Sequence, residues 1–306
     1  MAQNWTIEGP KVLDIGGDGE SVTALDVALI GGHVDVVTHD DSPTARLEVT
    51  EVSGKPLEVT WDGSRLQISH SPIAGGLAAL GNLSELFGSG SAAFLAGLGE
   101  KFAGLDHNHA RLSVSVPVGT RVDVKTVSAT ALVSGVSADV AVKTVSGALT
   151  VDDVIGRTSI TTVSGEVEAR RLDGVTAVKS VSGAVTVQAS ALPTADVKTV
   201  SGDITLDLTN GSAAINATSV SGDLTVRAPY AGFDVTASSV SGPVVAGGQR
   251  LGDGSRPAAK GHLREGDGAL KITAKTVSGA VTLLHSGPGA ETGDGIAAVA
   301  PTGGSW

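Results

Sequence analysis

The sequence predicts an all-β protein, namely a single-stranded β-solenoid of about 18–20 residues per rung with an irregular N-terminal β region. Three observations predict this fold. A Val-Ser-Gly unit recurs at nearly constant spacing, apolar residues occupy fixed columns around it, and the composition favours strands over helices. A period near 20 residues is typical of stacked repeats and is shorter than a propeller blade.

The composition supports strands built from small side chains. The 306 residues include 42 glycines and only 3% aromatics, while Val, Ala, Thr and Ser are abundant. The β-branched residues among these favour strands. A hydrophobic content of 41% is sufficient to bury a core, so the chain as a whole is expected to fold.

The repeat is clearest when the units are aligned on their glycine. The spacings along the chain are 18, 18, 18, 19, 20, 20 and 37 residues. The aligned positions are Ala129, Gly147, Gly165, Gly183, Gly202, Gly222, Gly242 and Gly279. A glycine at a corner permits positive φ or close approach of a neighbouring backbone. One period therefore fits one turn of a solenoid.

Apolar columns surround the glycine, as the unit "VKTVSGALTV" shows. Val145, Leu149 and Val151 have the same parity, which predicts that they point inward from one face. Val142 has the opposite parity, so the chain must turn a corner or bulge between the two columns, near the Thr-Val step or the glycine. A hydroxyl residue stands three positions before every glycine, as Thr144 does here. Without a recurring His or acid beside it, this column is interpreted as a stacking ladder rather than a row of nucleophiles.

A lysine column stands four positions before the glycine, and strand parity predicts that its side chains point outward. Its members are Lys125, Lys143, Lys179, Lys198 and Lys275. One interpretation is that the charges keep a flat β-face from pairing with other strands. The other is a basic stripe for an anionic polymer, which makes these lysines a candidate interaction surface.

Four regions follow from the pattern. They are an N-terminal irregular β region or cap at 1–70, a Gly/Ala-rich and partly helical flap at 71–109, β-solenoid repeats at 110–285 with a surface-loop insertion at 247–268, and a disordered tail at 286–306. Weak helical spacing of apolar residues marks the flap. The candidate contact residues there are Phe87, Phe94, Leu98 and Phe102.

Charge and motif content limit the functions to consider. A net charge of -11 makes nucleic acid an unexpected partner, because binding it requires Lys and Arg to neutralise phosphates. The sequence has no cysteine. His107 and His109 lack further ligands in the sequence, and acids such as Asp203 and Asp207 do not recur in one column. We therefore predict no catalytic residues, no metal and no cofactor. Without a signal peptide or spanning segment in the sequence, the expected location is cytoplasmic, with peripheral membrane contact through 71–106 as the alternative.

The "TVSGxVxV" units, preceded by "VSVPVGT" at 114–120, resemble the bacterial DUF4097 family of β-strand-repeat proteins, which is labelled "putative adhesin". The resemblance implies a β-solenoid, no catalytic residues, and a link in some relatives to cell-envelope stress responses. The expected function is a non-enzymatic, adhesin-like scaffold that binds a protein partner or a second copy of itself. The alternative is a carbohydrate-binding or carbohydrate-active β-helix, which would need an acidic or aromatic groove along one face.

Overall fold

The computed structural model describes residues 2–17, 19–70, 107–229, 232–251 and 259–286. Every regular element within these ranges is a β-strand. The flap residues Phe87, Phe94, Leu98 and Phe102 lie outside the described residues, as does the tail from 287 onward. In the part of the chain that is described, no helix could span a membrane.

The strands of the N-terminal part and of the repeat differ in length and pairing. Those of the first part are β1 (Gln3–Ile7), β2 (Lys11–Ile15), β3 (Ala24–Leu29), β4 (Gly31–His39), β5 (Ala45–Ser53), β6 (Leu57–Trp61), β7 (Arg65–His70) and β8 (His109–Pro117). Those of the repeat are β9 (Arg121–Thr126), β10 (Thr130–Ser134), β11 (Val140–Thr144), β12 (Leu149–Ile155), β13 (Thr158–Thr162), β14 (Val167–Ser180), β15 (Val185–Lys198), β16 (Ile204–Leu208), β17 (Ala213–Thr218), β18 (Leu224–Pro229), β19 (Phe233–Ser239), β20 (Val244–Ala246), β21 (Gln249–Leu251), β22 (Ala259–Glu265), β23 (Leu270–Thr276) and β24 (Val281–Ser286).

Each rung consists of one strand segment before the glycine corner and one after it. The long strands β14 and β15 each contribute a segment to both faces. Strands before the corner pair into a first face, in the order β1, β6, β7, β3, β9, β11, β13, β14, β15, β17, β23, β19, β22. Strands after it pair into a second face, in the order β2, β5, β8, β4, β10, β12, β14, β15, β16, β18, β24, β20, β21. The inward side chains of both faces form one buried apolar cluster. The predicted β-solenoid is confirmed.

The glycine column lies where the backbones of successive rungs come closest. A Cβ built on Gly183 would lie 2.1 Å from the carbonyl oxygen of Gly165, and one on Gly202 would lie 2.2 Å from that of Gly183. Neither glycine has a positive φ, whereas Gly147 has a φ of 139°. The column is therefore required mainly for close backbone approach rather than for an unusual conformation.

The valine of Val-Ser-Gly does not point inward, contrary to the sequence-based expectation. Val220, Val240 and Val277 are 47%, 54% and 48% exposed, and most of their equivalents in other rungs are partly exposed. The hydroxyl column three before the glycine takes the inward place, because the inward–outward alternation continues through Thr144 and Val145 and changes parity only at the glycine corner before Leu149. Its members are no more than 4% exposed, and they are Thr126, Thr144, Thr162, Ser180, Thr199, Ser219, Ser239 and Thr276.

A second corner opposes the glycine corner, six residues after it in the repeat. The backbone there adopts the left-handed conformation, with φ of 81° at Gly135, 53° at Asp153, 47° at Arg171 and 47° at Ala189. Non-glycine residues occupy this region at an energetic cost. No glycine column marks this turn in the sequence, so the repeat pattern did not predict it.

The order of the rungs in space differs from their order in the chain at both ends. The rung of β23 and β24 lies between that of β17 and β18 and that of β19 and β20. The rung of β3 and β4 likewise lies between that of β7 and β8 and that of β9 and β10. Antiparallel strands complete each end of the stack.

The segment 247–268 was expected to be a surface loop, and this is wrong for ten of its residues. Strands β21 and β22, of 3 and 7 residues, pair antiparallel with β20 and β19. Strands β21 and β22 cover the rung of β19 and β20, which is the last in space, and they pair with the backbone groups along its edge. A polar loop could not do this in a regular register.

Candidate interaction surface

The lysine column lies on the outer side of the first face, as strand parity predicted. Strand register places Lys125 beside Lys143, and Lys179 beside Lys198, in successive rungs about 4.8 Å apart. Thr161 separates the two pairs, and Lys275 follows after one further rung. The lysines of the column therefore form a stripe that runs along the stack.

The charges of the stripe are only partly compensated. The Lys125 ammonium lies 3.0 Å from Asp123, and that of Lys198 lies 2.7 Å from Asp196. Among the described residues, Lys143, Lys179 and Lys275 form no ion pair. Three cations of the stripe are thus available to a partner.

Small residues make the face next to the stripe flat. Ala141, Ser159 and Ala177 stand in register two positions before the column, on the same outer side of adjacent strands. A flat β-face with short side chains lets another surface approach closely, while the longer lysines at its border can reach a partner's carboxylates.

The first face carries one further charged pair near its N-terminal end. The Arg65 Nε lies 3.1 Å from the Asp26 carboxylate. Burial raises the pKa of Asp26, and the nearby Arg65 opposes that shift. These groups compensate one another and add no free charge to the stripe.

Acids that could have formed a catalytic pair instead connect neighbouring rungs. The Asp203 carboxylate accepts the backbone N–H of Asp223 at 2.9 Å, and the Asp223 carboxylate accepts that of Ala280 at 2.7 Å. Asp152 pairs with Arg171 across adjacent strands. These carboxylates are explained by the stacking of the fold.

One histidine of the pair singled out in the sequence contacts a carboxylate on the neighbouring strand. His109 Nε2 lies 3.1 Å from the Glu51 carboxylate, across the antiparallel pair of β5 and β8. In the described part of the chain, no group of three or more His, Cys, Asp or Glu side chains is placed to hold a metal ion.

A polar pocket on the second face was not found by the sequence analysis. It has a volume of about 340 Å³, and it is lined by His33, Asp35, Glu48, Thr50, Arg111, Leu112 and Ser113. Its residues come from β4, β5 and β8, which are distant in sequence and become neighbours only through the altered rung order. One signal was available: in "ARLEVTEVSG" the apolar alternation shifts parity after Val49.

His70 is a buried titratable group at the end of β7. Its side chain is 0% exposed, and in register it takes the place that Thr126 holds in the regular rungs. Nδ1 accepts the N–H of Ile30 at 3.4 Å, whereas Nε2 has no hydrogen-bond partner among the described residues. Burial, aided by the nearby His109, lowers the pKa of His70 to about 4.

We expect His70 to make stability depend on pH. The folded-state pKa of about 4 is below the ordinary value of 6.5, so between these values the unfolded chain binds a proton that the folded chain excludes. The contribution of His70 to the free energy of unfolding is therefore fully present above pH 6.5 and is lost as the pH falls toward 4. Urea midpoints measured from pH 7 to pH 4.5 should fall less steeply in His70→Gln than in the wild type. Parallel profiles for the two proteins would contradict the assignment.

Taken together, two parallel faces, a tight glycine corner and a core of stacked columns define a β-solenoid repeat protein. The model of the Toastrack DUF4097 family matches residues 99–284. The chain belongs to this family, as the repeat motif indicated. Family and fold support a binding scaffold.

Three solved structures resemble the chain at low sequence identity. A "putative cell adhesion protein" from Clostridium sporogenes is 10% identical, with 90% of this chain and 100% of that chain covered and a TM-score of 0.29. A "putative adhesin" from Bacteroides fragilis is 11% identical, with coverages of 90% and 97% and a TM-score of 0.48. A "putative lipid binding protein" from Parabacteroides distasonis is 12% identical, with coverages of 91% and 97% and a TM-score of 0.40. No curated protein matches the sequence.

Proposed function

We propose that the chain is a non-enzymatic scaffold that binds a partner protein with an acidic surface along the lysine stripe of the first face. The observation that carries the proposal is the set of uncompensated cations, Lys143, Lys179 and Lys275, on a face with short neighbouring side chains. The other recurrent columns, apart from the exposed valine of Val-Ser-Gly, are explained by packing or by bonds between rungs. The lysine column is not, because it contributes nothing to the core.

Charge complementarity favours an acidic protein over a second copy of this chain. At a net charge of -11, two copies repel each other unless their contact is locally complementary. A partner surface rich in Asp and Glu would instead match the stripe along its length. We place this interaction at the bacterial cell envelope, as the resemblance to the DUF4097 family implied.

Charge reversal of the stripe should weaken partner binding. Each exposed ion pair contributes about 0.2–1 kcal/mol, so replacing three attractive contacts with repulsive ones should weaken binding by at least about tenfold. The test variant is Lys143→Glu, Lys179→Glu and Lys275→Glu. The control is Lys11→Glu, Lys55→Glu and Arg250→Glu, which changes the net charge equally at exposed positions away from the stripe.

The measurement is affinity capture from cells of the source organism, with the retained proteins identified and their affinities measured after purification. The proposal requires an acidic protein that the wild type and the control retain and the stripe variant loses, with affinity decreasing as salt rises. It is overturned if the stripe variant retains the same proteins as the wild type, or if the wild type retains none.

A further inference from the structure

The polar pocket on the second face exists because of a bulge in β5. Val49 pairs with Leu112 and Glu51 pairs with Arg111, so Thr50 is an extra residue without a partner in β8. The Thr50 hydroxyl donates to the Arg111 carbonyl at 3.1 Å, which holds the bulge in place. A bulge bends its strand and redirects the adjoining side chains. An otherwise flat face thereby becomes concave at this point.

Oppositely charged side chains lie around this concavity without neutralising each other. Glu48 and Arg111 both line the pocket, yet the structure gives neither side chain an ion pair or hydrogen bond with a described residue. The Ser113 hydroxyl, in register between Asp35 and Glu48, is also unpaired within that part of the chain. Donors and acceptors are therefore held on a fixed sheet and remain available to a ligand.

One pair of groups is fixed by an internal contact. His33 Nε2 lies 2.9 Å from the Asp35 carboxylate, and both side chains are about one-third exposed. The contact orients the imidazole and leaves the second Asp35 oxygen as an acceptor toward the pocket. Leu112 also lines the pocket, but it is only 2% exposed and belongs to the buried core.

The chemistry of the lining selects among ligand classes. Two carboxylates disfavour an anion, and the Arg111 guanidinium disfavours a metal cation. Solvent weakens ion pairs in an open, hydrated site, so charge alone gives a zwitterion little affinity here. Selectivity then depends on matching hydrogen-bond donors and acceptors to the carboxylates and the guanidinium. A ligand with many hydroxyls, each able to donate and accept, can form the largest number of hydrogen bonds with this lining.

We infer that this pocket binds a neutral saccharide, with Asp35 and Glu48 accepting from its hydroxyls and Arg111 donating to them. A volume of about 340 Å³ is at the small end of ligand pockets and suits one or two sugar units. The site is on the face opposite the lysine stripe, so saccharide binding and partner-protein binding can fail independently.

The test measures binding of maltotriose, cellotriose, mannotriose and triacetylchitotriose by saturation-transfer NMR and calorimetry. At least one should bind the wild type with a Kd of about 1 mM or lower. Glu48→Ala with Arg111→Ala should weaken that binding at least tenfold, and Glu48→Gln alone should weaken it by a smaller factor.

The matched control is Asp207→Ala with Arg227→Ala, since this pair is in register on adjacent strands of the same face, outside the pocket. It should bind the saccharide like the wild type. Inorganic phosphate, calcium and free alanine serve as probes for the other ligand classes. The inference is overturned if none of the four saccharides binds, if one of these probes binds the pocket in their place, or if the pocket variants bind as well as the control.

Discussion

Replacing Gly183 with alanine is expected to lower the free energy of unfolding by about 3 kcal/mol, the upper end of the usual cost of overpacking. The added Cβ would lie 2.1 Å from the Gly165 carbonyl oxygen and 2.9 Å from its carbonyl carbon. Both atoms are backbone, so no side chain can rotate away. The corner can accommodate the methyl group only if two rungs separate.

Separation of the rungs would also strain the hydrogen bonds that join their corners. Ser182 donates its N–H to the Val163 carbonyl at 2.8 Å, and Ser201 donates to the Val181 carbonyl at the same distance. A Cβ built on Gly202 would likewise lie 2.2 Å from the Gly183 carbonyl oxygen. A displacement at one corner therefore passes to the next rung. We therefore expect a cooperative loss of stability rather than a local adjustment.

The control for this substitution is Gly119→Ala. A Cβ on Gly119 would meet no heavy atom within 4 Å, and its φ is not positive. Its free energy of unfolding should remain within about 0.5 kcal/mol of the wild-type value. Urea denaturation followed by circular dichroism measures both variants. Equal midpoints for Gly183→Ala and the wild type would contradict close backbone approach as the reason for the glycine column.

The rung of the solenoid could be predicted from the sequence because its constraints are local and repeated. The glycine spacing, the columns around Leu149 and Val151, and the outward lysines all follow from strand parity and period. The inward place of Thr144 instead of Val145 could not be derived in this way. Parity alone shows that a corner exists between Val142 and Leu149, but not whether it falls before or after Val145, and hydrophobicity favoured an inward valine.

The ends of the stack and the pocket could not be predicted because they depend on pairing between distant segments. Local pattern identifies β23 as a strand, but nothing in it indicates that β23 inserts between β17 and β19. Similarly, His33 and Arg111 become neighbours only because β8 lies beside β4. The parity shift after Val49 signals a bulge, yet it does not reveal which residues the bulge brings together.

Buried hydroxyls lead to a second large effect, in which the same substitution has opposite signs at one position inside the hydroxyl column and one outside it. Thr162 and Thr176 are each 1% exposed, and valine has nearly the same shape as threonine. The Thr162 hydroxyl accepts the N–H of Gly165 at 2.8 Å, whereas that of Thr176 has no hydrogen-bond partner among the described residues. Only the first hydroxyl therefore offsets its desolvation.

Thr162→Val should lower the free energy of unfolding by about 2 kcal/mol, because it leaves the Gly165 N–H at a tight corner without its acceptor. Thr176→Val should raise it by about 1 kcal/mol, because it removes a buried polar group that forms no bond. Urea midpoints of the two variants should lie on opposite sides of the wild-type value.

A water molecule hydrogen-bonded to the Thr176 hydroxyl would make Thr176→Val destabilising, since the substitution would remove that hydrogen bond. Destabilisation by both substitutions would therefore contradict an unpaired hydroxyl at Thr176. If both stabilised the protein, the bond from Gly165 to Thr162 would not contribute to the corner. Opposite signs are the outcome that follows if the Thr162 hydroxyl is retained for its bond to the corner backbone and not for stacking alone.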